Sequence, residues 1–338
     1  MSKRSSSAST RRFPRGRLRE AIRWYRLWGT WPVWAWVAAA EAFKERRFAR
    51  AAELYRIGLE QSALHPAANS ARLDLAYCLY REDQYDESLK LLDQLTRSSC
   101  RLRDAYLLQA RIEVFLGRVL SAARTMKRCL KVYPDDLQAL SSYLHMSLQG
   151  IATEDDVLEA RQRLLAARTD LSLEDDRNLH VNTALAHFEL RHGEIRLGER
   201  LLARVLASGN APFEAVLLRG ERFLDQGRLL QAREQLTRAM IAAPRDPRPV
   251  HYLARSYLRT GADFNPTFAM QLAQSACRLS HWQNAECLNV LARAYEANDQ
   301  KANAQLFFER MKMVPSMHEL NVTYFHSSLQ QLRAQKAS

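Results

Sequence analysis

The sequence predicts an all-α fold, an α-solenoid of about seven helix-turn-helix units, and three observations predict it. Glycine is scarce, 11 residues in 338, which argues against glycine-rich phosphate loops and tight hairpins. Apolar residues recur at helical spacing along most of the chain. Two distant stretches also share one spacing pattern. From Ala110 the positions Gly117, Ala122, Met126, Cys129 and Pro134 follow at gaps of 7, 5, 4, 3 and 5, and from Gly220 the positions Gly227, Ala232, Leu236, Ala239 and Pro244 repeat those gaps.

The core of the pattern is a small residue, another twelve later, and an apolar one seven beyond that. It recurs at Ala39/Ala51/Gly58, Ala76/Ser88/Leu95, Ala186/Gly198/Val205 and Ala292/Ala304/Met311. Antiparallel helices come closest where small residues face each other, and the bulky residues after them fill the groove with the next pair. Gly117 and Gly227 permit the left-handed turn between helices, and Pro134 and Pro244 close their units because proline cannot continue a helix. The unit resembles the tetratricopeptide repeat, a 34-residue helix-turn-helix. Ser88 and Ala122 are 34 apart, as are Gly198 and Ala232.

Taken in chain order, residues 1–16 read as a disordered basic tail. Residues 17–31 read as a basic amphipathic helix, with Leu18, Ala21, Ile22, Tyr25 and Trp28 on one face and Arg19, Arg23 and Arg26 on the other. The repeat superhelix runs over 32–318. It contains a divergent unit at 137–178, whose helix starts are signalled by Thr153–Asp156 and Ser172–Asp175, and a unit at 247–283 lengthened in its turn around Asn265-Pro266. Residues 319–338 carry the stripe Val322, Phe325, Leu329 and Leu332, suited to a C-terminal capping helix.

Charge is placed unevenly. Residues 1–26 hold nine Lys or Arg and one acid, so +8 of the net +13 belongs to the tail. Tryptophan beside that charge points to an interfacial contact with an anionic membrane through Arg19, Arg23, Trp24, Arg26, Trp28 and Trp31. The apolar run Leu27–Ala40 is 14 residues, too short to span a bilayer. A capping helix and a cleaved export signal are the competing readings of this region. The five cysteines are odd in number and sit in apolar helical contexts, which favours a reducing compartment.

A stacked helix-pair superhelix lines its concave wall with the first helix of each pair, and such grooves take extended or helical peptide segments. The positions one and five after the first small residue point there, with Tyr80 beside Arg81. They nominate Tyr77, Tyr80, Arg81, Arg111, Phe115, His187, Arg191, Glu221, Arg255, Arg259 and Arg293 as a partner-binding groove, rich in arginine for carboxylates. His187 and His192 are five apart and do not share a helix face, so they make no metal pair, and no catalytic constellation stands out. No basic stripe with stacking aromatics supports a dedicated nucleic-acid reader in the body of the chain.

These features imply a non-enzymatic protein-interaction scaffold with no cofactor, metal or small-molecule substrate, peripheral to the cytoplasmic face of the inner membrane. The alternative is a soluble regulatory or chaperone-like adaptor whose basic tail binds nucleic acid or an acidic protein. A third class, a regulator that binds and controls a catalytic partner, differs mainly in what is caught. The alanine- and arginine-rich composition suggests a bacterial source. The resemblance implies service in envelope polysaccharide, secretion or pilus assembly.

Overall fold

The computed structural model describes residues 31–315, apart from residues 62, 99–101, 149–152 and 170–175. The described residues form sixteen helices and no strand. The basic tail, most of the amphipathic segment and the C-terminal cap of the sequence reading lie outside them. Contacts between residues divide the chain into two units, with the division after Ala105.

The first unit holds α1 (Trp31–Lys44), α2 (Phe48–Gln61), α3 (Ala68–Arg81) and α4 (Tyr85–Arg97), each packed on the next within and between pairs. The predicted small residues do what the spacing requires. Ala39, Ala51 and Ala76 have no exposed surface, and the helices come so close that the Ser88 hydroxyl donates to the Ala76 carbonyl at 2.7 Å. Leu92, Leu95, Leu79 and Tyr85 fill the space left beside these crossings. Full burial of such a side chain contributes roughly 1.5–3 kcal/mol.

The second unit begins inside α5 (Arg103–Phe115). It continues through α6 (Val119–Val132), α7 (Leu137–Ser147), α8 (Glu154–Thr169), α9 (Asp176–His192), α10 (Ile195–Ala207), α11 (Phe213–Asp225), α12 (Leu229–Ala242), α13 (Pro247–Tyr257), α14 (Pro266–Leu279), α15 (Ala285–Ala297) and α16 (Lys301–Met313). The described helices make eight pairs where about seven units are expected: six marked by the small-residue spacing, the divergent one and the lengthened one. Thr153 caps α8 as its sequence suggests, accepting from the Asp156 amide at 3.2 Å. Asn265 caps α14 after the long turn, accepting from Phe268 N at 3.0 Å.

Within this unit the first helices touch in succession, α7 with α9, α9 with α11, α11 with α13, and α13 with α15, and so build one inner wall. The curl brings distant turns together. Arg118, after the α5–α6 turn, donates to Gln283 at 2.6 Å, and Asn284 donates to the Phe115 carbonyl at 3.5 Å. The four cysteines within the described residues, Cys78, Cys129, Cys277 and Cys287, are free and buried.

Candidate partner-binding groove

Near the start of the first helices, Asp246 caps α13 by accepting from the Arg248 amide at 2.9 Å. That cap aims the Arg248 side chain at α11, where its guanidinium forks onto Glu214 at 2.9 and 3.1 Å and also meets Asp246 at 2.7 Å. Burial acts to raise the Glu214 carboxyl, but the charge and hydrogen bonds of Arg248 outweigh it and hold the group below its ordinary value. His145 and Arg111 add to that lowering.

Two turns further along, Arg191 of α9 donates to Glu221 of α11 at 2.8 Å, and Tyr252 of α13 hydrogen-bonds the same carboxylate. Arg255 lies over the Tyr252 ring, 5.4 Å from its centre. Burial raises Glu221 despite Arg191, and burial likewise raises Glu286 of α15 despite Arg255. Between α7 and α9 the Nδ1 atoms of His145 and His187 are 2.8 Å apart, so one ring donates and the other accepts.

The groups join into a continuous line of electrostatic neighbours. It runs Arg111, Glu214, His145, His187, Arg191, Glu221, Arg255, Glu286 and crosses α5, α11, α7, α9, α13 and α15. Three members keep unused hydrogen-bonding capacity: among the described residues the guanidiniums of Arg111 and Arg255 and the carboxylate of Glu286 make no hydrogen bond.

Of the residues nominated from sequence, Arg111, Arg191, Glu221 and Arg255 share this wall, while His187 joins the line from beneath it, only 8% exposed. Arg259 and Arg293 are exposed but stand outside the line. Phe115 is only 4% exposed and Tyr80 only 6%, a correction to the groove assignment. Tyr80 lies four residues after Ala76, on the small residue's own core-facing side, and an apolar Phe115 packs where an arginine would reach out to solvent.

Tyr77 and Arg81 belong to the first unit. There Arg81 stacks over Phe48 at 4.4 Å and donates to the Tyr77 hydroxyl at 3.3 Å. Glu214, Arg248 and Glu286 were not nominated, although a signal existed. Each stands seven residues before a nominated position, Glu221, Arg255 and Arg293, and so two turns earlier on the same helix face. No group of three metal-ligating side chains occurs among the described residues.

Residues 37–99 and 183–247 each match the family model of the tetratricopeptide repeat, one in each unit. The matched stretches cover 128 of the 338 residues and carry tetratricopeptide-type repeats there. The same architecture is seen in a human IFIT1 dimer with m7Gppp-AAAA, with a TM-score of 0.53 at 13% identity over 96% of this chain and 79% of that one. A monomeric IFIT1 mutant with Gppp-AAAA gives 0.53 at 14% identity over 90% and 74%. No curated protein matches the chain. The matched repeats and this likeness show an all-α helical-repeat fold.

Proposed function

We propose that the chain is a non-enzymatic scaffold that recruits a protein segment along the inner wall of its second unit, while its N-terminus rests on an anionic membrane surface. One observation carries the recruiting half: the polar line across six first helices, in which the side chains of Arg111, Arg255 and Glu286 make no hydrogen bond among the described residues. Groups of both signs suit a peptide bearing carboxylates for the two arginines and an amine or guanidinium for Glu286. The IFIT1 structures hold capped RNA. Here Glu214, Glu221, Glu286 and Asp246 interleave with the arginines, and a phosphate chain laid on the wall would meet them.

The membrane half is supported by the +8 of residues 1–26 and the tryptophans beside them. No described helix is long and apolar enough to cross a bilayer. On this reading the chain sits at the cytoplasmic face of the inner membrane, and envelope polysaccharide, secretion or pilus assembly is where the partner is sought.

The test places a photo-crosslinking residue at Arg111, Arg255 or Glu286 and, for comparison, at the exposed second-helix positions Arg124 and Arg200. One defined partner should be captured from the inner positions only, and it should be lost in Arg111→Glu/Arg255→Glu. Capture from the outer positions alone would move the site to the opposite face.

A further inference from the structure

The first ten residues of α1, WPVWAWVAAA, contain no charge, and the first charged residue is Glu41. A helix apolar on every side is ordinarily enclosed on every side. Among the described residues it is packed on one side only. Ala35, Trp36, Ala39 and Ala42 are buried against α2 and the α2–α3 region, while Trp34 is 43% exposed and Val37 48%. Further along the same face the pattern returns to normal, where Glu41 and Lys44 pair at 2.8 Å. Its partner α2 shows what solvent requires: its exposed positions are Ala49, Arg50, Glu53, Arg56, Glu60 and Gln61, polar but for one small alanine. A helix face turned to solvent is normally polar, and α1, the first of the described helices, departs from that over its first half.

We infer that the Trp34–Val37 face of α1 is itself a docking surface for an anionic membrane, so that the folded first repeat, and not only the segment before it, lies on the lipid. The inference rests on the membrane half of the reading above. Charge selects the occupant. Nine Lys or Arg lie within residues 1–26, the last of them eight residues before Trp34 in sequence. A second copy seated on the face would bring two such clusters together, whereas anionic headgroups neutralise them. An indole beside a short aliphatic face suits the headgroup boundary, where its ring is apolar and its N–H stays wet.

The test uses the full chain and flotation with phosphatidylcholine vesicles, with and without phosphatidylglycerol. The wild type should float with the anionic vesicles. Trp34→Ser/Val37→Ser should partition about tenfold more weakly with an unchanged melting temperature, and Trp34→Phe should retain binding. Arg19→Glu/Arg23→Glu tests the tail separately. If the wild type floats, the tail variant is released and Trp34→Ser/Val37→Ser floats like the wild type, this inference alone is overturned. If the serine variant melts several degrees lower, the face is covered by the chain's own residues 17–30, which also overturns it. If the wild type binds neither vesicle, the membrane half falls and takes this inference with it.

Discussion

Gly117 and Gly227 occupy the same place in two repeats, with φ of 75° and 73°, yet their surroundings differ. A Cβ on Gly227 would meet nothing within 4 Å, whereas one on Gly117 would stand 2.7 Å from Asn284 Cγ. Both Gly→Ala changes strain a left-handed turn, at about 1–2 kcal/mol. Only Gly117→Ala also pushes against a neighbouring turn, adding about 1 kcal/mol or more. Urea denaturation should therefore show Gly117→Ala to be the more damaging of the two. Equal losses would mean that Asn284 swings aside without cost. The equivalence of the two glycines is visible in their spacing. Their difference is not, because it comes from a residue 167 positions away in the chain.

Between elements, the His145–His187 contact joins α7 to α9 and makes the second unit sensitive to acid. Burial pushes His145 down to about 4, with Arg248 and His180 adding to the effect and Glu214 opposing it. Burial, then the charges of His145, Arg191 and His192, hold His187 well below its ordinary value. Burial takes His251 of α13 to about 3. The unfolded chain takes up these protons near 6.5 and the folded one does not.

Stability from this source is complete above pH 6.5 and is lost as pH falls from there towards 4, at about 1.4 kcal/mol per pH unit for each histidine. The raised carboxyls Glu221 and Glu286 act in the opposite sense and offset part of the loss. Melting temperature should fall between about pH 7.5 and pH 5.5, and less steeply in His145→Gln/His187→Gln. An unchanged slope would remove the pair as its cause.

Helix pairing was legible because close crossings need small residues at a fixed interval, and Ala39, Ala76, Ala122 and Ala186 all lose their entire surface there. The inner wall was half legible. Reading one helix turn per repeat found Arg191 and Glu221, but missed Arg248 and Glu214, which sit two turns earlier on the same faces. His145 belongs to the divergent unit, where no small-residue pair marks the register.

At the scale of the molecule, repeat arrays depend on contacts between adjacent units, and a single weak interface ordinarily lets the outer part loosen. The second unit has an additional tie, since Arg118–Gln283 and Asn284–Phe115 join its first turn to one near its end. In Arg118→Ala/Gln283→Ala, amide exchange should quicken in the α14–α15 turn while α9 and α10 keep their protection. Uniform protection throughout would mean that the tie holds nothing that the repeat interfaces do not already hold. Such a tie also changes how the chain reaches its final state. Helix pairs form from residues close in sequence and can assemble quickly in any order. The contact between residues 118 and 283 closes a loop of 165 residues and gains nothing until every intervening pair is in place. It should therefore form last and be undone first, so that this tie opens and closes without the repeats themselves unfolding.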